Sequence, residues 1–405
     1  MRPNNENNRH TRPRILYLTG AWPQEGCTGV QLRLLQVGRA LQNLGEVNLV
    51  VVSDGGGAQA EENKSSEFRV YCGVDAVVPP PGGLRQRLKW WLYPRSLNLY
   101  TQVAAERGRV HVCSGLSSFD LIWINSLRVA NMFGLWCWPR SVLDIDDIPS
   151  TYELTRWRNG DRLMDRLKGG ARVLAMRRGE RLLRERFTVL GVCSEADHRY
   201  LGGGSHIHVI PNGFDRPCAE PHRQLSTPPR LGFIGNFSHP PNFEGVQWFL
   251  RECWPRIKRE VPNARLRLVG KDSGGILKAD AEVDSLGWKK DPSEEIATWS
   301  AMIVPIRLGA GTRVKVAEAF SRKVPLVSTG LGAFGYDVVD GKELILADTP
   351  EVFAKACVRM IREPVEAATM AERAWQSFLN SWTWDAIAPR VWAAAEQCLK
   401  LSGGG

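Results

Sequence analysis

The chain lacks the marks of several protein classes. Its 405 residues include nine cysteines, yet no CxxC pair and no Cys/His group at metal-ligand spacing. That absence argues against a structural zinc site and fits free thiols in a reducing cytoplasm. No apolar run approaches the roughly 20 residues that a membrane-crossing helix needs. The polar opening, Met1–Pro13, has no apolar h-region, so neither a signal peptide nor a transit sequence is expected there, only a disordered lead. Acidic residues are in deficit: 53 Lys+Arg stand against 43 Asp+Glu, a net charge of +10. The excess is concentrated, with 11 Lys/Arg and 4 Asp/Glu between Arg156 and Arg186. Such a segment implies an anionic partner, a membrane surface or simply a soluble face. No recognised nucleic-acid motif accompanies it, and nucleic acid is not expected as a partner.

What is present is a globular chain, 43% apolar, long enough for two or three domains. Strand and helix patterns alternate. Arg14–Thr19 and Val47–Ser53 read as strands flanking a helix built on Val30, Leu34, Val37, Leu41 and Leu44. The loop before that helix contains Gly20 and Gly29, which serve a turn or let a ligand approach the backbone. Phe68–Val78 holds another strand, and Pro79–Gly83 breaks the chain. Leu84–Arg95 mixes basic residues with Trp90, Trp91 and a tyrosine, the composition of a membrane-interface segment or of a packed surface helix. Asp120–Asn125 and Arg140–Asp147 read as buried strands ending in polar residues. Asp144, Asp146 and Asp147 are close enough in sequence to hold a metal, orient an acceptor hydroxyl or cap the next helix. Thr188–Cys193 and His208–Ile210 are further strands.

Arg216–Pro229 is rich in proline and polar residues and reads as a linker. Strands at Leu231–Gly235, Arg265–Val269, Val283–Gly287, Val324–Ser328 and Glu343–Ala347 follow, with helices between, one running on from Glu351, and a last helix at Trp384–Leu399. The expected fold is α/β: two doubly wound parallel sheets joined by a linker, with ligands bound in the cleft between them. The domain limits are 14–215 and 230–383, with 384–401 as a final helix.

One stretch in the second half concentrates chemistry. Ala301–Ile306 reads as a buried strand, Gly309 and Gly311 as a tight turn, Thr312 as an N-cap and Arg313–Phe320 as the helix that follows. Gly311, Lys315 and Glu318 then share a helical face. A helix N-terminus with two cations suits a diphosphate, and a carboxylate a turn deeper suits a sugar hydroxyl. The plainer alternative is an αβ turn with solvated charges.

Several blocks in order resemble a glycosyltransferase of the GT-B fold, family four (glycosyl transferases group 1). They are Pro211-Asn-Gly-Phe-Asp215; Phe233-Ile-Gly-Asn-Phe-Ser238 with Pro241-Asn242 and Trp248-Phe249; Pro262-Asn-Ala264 with Leu268-Val-Gly270; Gly309-Ala-Gly-Thr-Arg-Val-Lys315 with Glu318-Ala319; Pro325–Thr329; and Gly332–Gly335. Leu143–Ser150 and Ser194–Asp197 match more loosely. The resemblance spans most of Arg14–Lys400. It implies a nucleotide-diphosphate sugar donor, UDP- or GDP-linked, on the second domain, an acceptor on the first, retention of configuration and no metal or other cofactor. It assigns the ribose to Glu318 and the leaving diphosphate to Arg313 and Lys315. Gly235, Asn236, Gly270, Trp288, Gly311 and Thr312 would border the donor, and Gly29 would approach its phosphates. Asp146 and Asp147 would orient the acceptor hydroxyl, and Asn125 and Asp144 would help to bind the acceptor.

The chain departs from the family pattern at three places. Ala310 replaces the first member of a common glutamate pair, Asn125 stands for a usual histidine, and Asn236–Asn242 lacks the usual Arg and Lys. Trp90, Trp91 and the basic segment suggest an enzyme on the inner face of an anionic membrane, meeting a lipid-linked saccharide. The alternatives are a nucleotide-sugar 2-epimerase of the same fold, and a relic that binds membrane or nucleic acid without catalysis.

Overall fold

The computed structural model describes residues 12–25, 29–54, 67–78, 102–158, 163–276 and 282–402. Trp90 and Trp91 lie outside them. The first half runs β1 (Arg14–Thr19), α1 (Gly29–Leu44), β2 (Glu46–Asp54), β3 (Arg69–Val77), β4 (Val103–Ala104), α2 (Glu106–Gly115), β5 (Leu121–Asn125), α3 (Leu127–Met132), β6 (Ser141–Ile145), α4 (Pro149–Arg158), α5 (Leu163–Glu180), α6 (Leu183–Arg186), β7 (Val189–Val192), α7 (Glu195–Tyr200) and β8 (Ile207–Val209). Its eight strands order as β4-β3-β2-β1-β5-β6-β7-β8. All pairings are parallel except β3 with β4. β1 pairs on one side with β2 (Arg14 opposite Glu46) and on the other with β5 (Ile15 opposite Leu121).

The second half runs β9 (Arg230–Ile234), α8 (Pro240–Trp248), α9 (Trp254–Glu260), β10 (Arg265–Val269), β11 (Val283–Gly287), α10 (Ser293–Ala297), β12 (Ala301–Val304), α11 (Val314–Ser321), β13 (Leu326–Ser328), β14 (Ile345–Leu346), α12 (Pro350–Arg362), α13 (Pro364–Ser381) and α14 (Trp384–Ser402). Its six strands order as β11-β10-β9-β12-β13-β14, all parallel. Both sheets are therefore doubly wound, as the βα alternation predicts.

The strands are short β-branched and aliphatic runs covered on both faces, which is why they read as continuous apolar stretches rather than alternating ones. β1, β5, β6 and β7 are buried almost throughout. One face of the first sheet packs on Phe119, Met132 and Phe133. The other packs on Leu34, Val37 and Leu41 of α1 and on Ile387, Val391, Ala394 and Cys398 of α14. The last helix thus leaves the second domain and completes the core of the first. Trp392 Nε1 donates to the Ala40 carbonyl at 2.8 Å, and Phe214 N donates to the Trp382 carbonyl at 3.0 Å. The second domain has its own core around Phe233, Phe249, Trp299 and Phe320.

Each doubly wound sheet has one place where strand order reverses. In the first sheet it lies between β1 and β5, in the second between β9 and β12. Loops diverge there, leaving a crevice outside the carboxyl ends of the strands. Residues that follow β1 and β6 face those that follow β12, so the two crevices open onto one cleft.

Candidate active site

The second-domain wall starts where β12 ends. Gly309 and Gly311 turn the chain with φ of 120° and 68°, a region that costs an L side chain strain but not glycine. The helix begins one residue later than its sequence suggests, at Val314. Thr312 is not its cap: Arg313 holds the N-cap position and no side chain caps the helix. Thr312 Oγ1 instead accepts a hydrogen bond from the Asn212 amide of the first domain, at 3.4 Å. Gly311 consequently lies ahead of the helix rather than on a face shared with Lys315.

Arg313 is the focal group. Its Nη1 donates to the Ala310 carbonyl, which fixes the guanidinium, while Nε and Nη2 are buried without a partner. Burial lowers its pKa, against the opposing pull of Asp147 and Asp146. Lys315 lies beside Gly235, with Nζ 5.4 Å from the Phe233 ring centroid. Burial brings its pKa down to about 8; nearby Glu318 opposes this and Arg313 adds to it. Arg313, with two buried N–H groups unpartnered, and Lys315 thus stand beside an uncapped helix N-terminus, an arrangement whose chemistry suits an anion. Glu318 is engaged on its far side, accepting from Arg322 Nη2 at 3.1 Å.

Beyond Lys315 the carboxyl ends of β9 and β10 touch. Gly235 N donates to the Val269 carbonyl at 2.9 Å, and a Cβ on Gly270, whose φ is 132°, would run into the Gly235 carbonyl. Trp288 follows β11 with its side chain 61% exposed. Asn236 turns into its own loop, where Oδ1 accepts from Ser238 N at 2.9 Å.

The first-domain wall holds a cavity of about 370 Å³ lined by Gly20, Val30, Asn125, Met132, Asp146 and Asp147, among others. Ser126, at φ 74°, keeps an unusual backbone conformation at its edge while its hydroxyl accepts from Val129 N at 3.3 Å. Asp147 keeps one side in solvent and lies against Gly311 on the other. Its pKa is pushed up to about 7, first by desolvation and then by Asp146. Asp146 Oδ1 accepts from Asn212 Nδ2 at 2.8 Å and from the Cys193 thiol at 3.2 Å.

Asp144 does not serve the cleft. It lies within β6, fully buried, and both oxygens are held by Arg33 of α1 at 2.6 and 3.2 Å. An acceptor role for it is set aside, because a carboxylate paired inside the core has no free face. Gly29 does approach the far wall: a Cβ there would lie 2.9 Å from Val314 Cγ2, so the first residues of α1 and α11 face each other across the cleft.

The structure therefore brings Asp146, Asp147, Gly311, Thr312 and Arg313 together where the domains meet, with Gly235 beside Lys315 on the second-domain side and Asn125 in the first-domain cavity. Sequence reading did not single out His239, which lies near enough to Lys315 and Arg313 for their charge to lower its pKa. It occupies the stretch where the family's usual Arg and Lys are absent, which was the available signal. Thr155 of α4 was also missed; it carries no motif. Among the described residues no group of three or more His, Cys, Asp or Glu is placed to hold a metal ion.

Solved structures with this architecture include Anabaena HepE in complex with UDP and glucose (TM-score 0.62, 16% identity, 94% of this chain and 98% of that one). Sucrose-phosphate synthase from Thermosynechococcus elongatus is similar at TM-score 0.69 and 15% identity, over 96% of this chain and 100% of that one. Residues 228–363 match the family described as Glycosyl transferases group 1. This chain has the GT-B fold. Among curated proteins, an uncharacterized 44.6 kDa protein in the cps region of Klebsiella pneumoniae is 28% identical over 134 residues. That alignment covers 30% of this chain and about a third, 34%, of the relative. In GT-B terms, the uncapped helix α11 and its two cations stand on the second domain, and the cavity with Asn125 on the first.

Proposed function

We propose that the protein is a glycosyltransferase. It moves a sugar from a nucleotide-diphosphate sugar, UDP- or GDP-linked, to an acceptor hydroxyl, with retention of anomeric configuration, in the making of a cell-surface polysaccharide or glycolipid. The observation that carries this reading is Arg313: a buried guanidinium with two unpartnered nitrogens, next to Lys315 and the uncapped start of α11. Burying such groups without a partner is costly, and a bound diphosphate offsets that cost.

In the reaction the bond between the anomeric carbon and the diphosphate oxygen breaks while the acceptor oxygen bonds to that carbon. Negative charge grows on the leaving phosphate as the sugar turns cationic. Arg313, Lys315 and the first amides of α11 stabilise that charge from fixed positions; a single contact of this kind is worth roughly a hundredfold in rate. Glu318 holds the ribose, and Trp288, beyond Gly270, offers an exposed ring for the base. Asn125 and the Asp146–Asp147 pair receive the acceptor, with Asp147 placed to orient its hydroxyl and take up the proton that it loses. HepE, a structural neighbour, was crystallised with UDP and glucose, which agrees with a uridine nucleotide donor. A calorimetric panel of UDP-, GDP-, dTDP- and CMP-sugars tests the donor class: binding by one of the first two supports it, and binding by none sinks it.

The acceptor in this reading is a lipid-linked saccharide met at the cytoplasmic face of an anionic membrane. Arg172, Arg178, Arg181 and Arg184 are exposed on and after α5, with Leu174 58% exposed among them. Among the described residues no helix is long and apolar enough to cross a membrane, so such contact would be peripheral. Flotation with anionic liposomes tests this: salt-sensitive co-flotation is expected, and none with Trp90 and Trp91 intact would remove the membrane from the account.

A further inference from the structure

The loop that carries Arg313 has little reason to hold one shape by itself. Two of its residues, Gly309 and Gly311, are left-handed glycines, the most permissive residue type. Its own domain holds the Arg313 end, where the Tyr336 hydroxyl donates to the Arg313 carbonyl at 2.9 Å, but the side-chain grips on Gly309 and Thr312 come from the first domain. Thr155 Oγ1 of α4 accepts from the Gly309 amide at 3.1 Å and lies 3.2 Å from the Gly309 carbonyl, which shares the hydroxyl proton with the Tyr152 carbonyl at 2.8 Å. Asn212, just after β8 in the first domain, donates its amide to Thr312 Oγ1 and its Nδ2 to the Thr312 carbonyl, both at 3.4 Å.

Both grips are braced from behind. Asn212 Oδ1 accepts from Arg33 Nη1 at 3.1 Å, and Arg33 is locked to Asp144 in the core. The start of α4 is pinned by the buried carboxylate of Glu180, which accepts from Ser150 N at 2.8 Å and Ser150 Oγ at 2.5 Å. Ser150 Oγ also lies 2.6 Å from Tyr200 Oη, to which Arg177 Nε donates at 2.7 Å. Two rigid supports on one domain thus hold a pliable loop on the other. This buried, hydrogen-bonded bracing would be wasted on a contact with no positional duty.

We propose that Thr155, with Asn212 at the other end of the loop, is a positioning residue: the first domain sets the shape of residues 309–313 and hence where Arg313 points. That the loop binds a donor diphosphate rests on the function proposed above; that Thr155 shapes it does not. The test compares the full-length wild type with Thr155→Val, which keeps the shape and removes the hydroxyl, and Thr155→Ser, which restores it. Amide hydrogen exchange is followed over residues 301–314, with UDP and GDP binding measured on the same samples.

The expected result is roughly tenfold faster exchange at Gly309 in the valine variant, the effect of one lost hydrogen bond, with wild-type exchange elsewhere and in the serine variant. Diphosphate affinity should fall several-fold with valine and recover with serine. Wild-type exchange at Gly309 in the valine variant, or a serine variant as fast as valine, would overturn the proposal. If exchange responds as expected but wild type binds neither nucleotide, Thr155 keeps its role and the donor reading falls instead.

Discussion

At the scale of single residues, the proposed chemistry rests on Arg313 and Lys315, and Lys315 carries a pH signature. In the unbound site its pKa is brought down to about 8, chiefly by burial. A diphosphate binds the protonated amine. As the pH rises through 8 and Lys315 loses its proton, donor affinity should weaken by up to about tenfold per pH unit. A Lys315→Arg variant, protonated throughout, should lose that slope; titration calorimetry between pH 6.5 and 9.5 reads both. These cations were legible because a glycine-rich turn followed by Arg-x-Lys at a strand end has a physical meaning that spacing alone conveys. The carboxylates were less so. Asp144, Asp146 and Asp147 look equivalent in sequence, and only the pairing of Asp144 with Arg33, 111 residues away, separates a core ion pair from cleft groups. His239 and Thr155 meet this region only through tertiary neighbours, which a local sequence pattern does not show.

At the scale of elements, strands were read almost to the residue where an apolar run is bounded by glycine or polar residues, as at Arg265–Val269 and Val283–Gly287. Helix α2 escaped because only Val112 of its ten residues is buried, so it has no apolar stripe to read. The run from Glu351 is two helices, since Pro364 starts a second one rather than ending the first. The misplaced cap at Thr312 has a similar origin: its hydroxyl found a partner on the other domain. Helix α14 bears a separate prediction. Val391, 1% exposed, packs into the first-domain core rather than that of the domain it leaves. Val391→Asp should cost about 3 kcal/mol or more. The loss should appear as earlier unfolding of the first domain, with the second-domain transition little changed, in a thermal scan followed by hydrogen exchange. Unfolding of the second domain first would contradict this assignment of the helix.

At the scale of the molecule, two doubly wound sheets turn their reversal points toward one cleft, and each supplies what the other lacks. The second domain brings the cations and the uncapped helix; the first brings the cavity, the carboxylates and the grips on the Gly309–Thr312 loop. The doubly wound halves and their order were readable from βα alternation, whereas their mutual contacts were not, because Asn212 with Thr312 and Thr155 with Gly309 meet across long sequence separations. The central claim is that Arg313 and Lys315 hold a nucleotide diphosphate. The direct measurement is calorimetric binding of the best donor nucleotide to wild type and to an Arg313→Ala/Lys315→Ala double variant whose fold is verified by its thermal transition. The account predicts micromolar binding to wild type and a loss of roughly a hundredfold or more in the variant, as expected when buried charge-assisted contacts are removed. Equal affinity in the two proteins would contradict it.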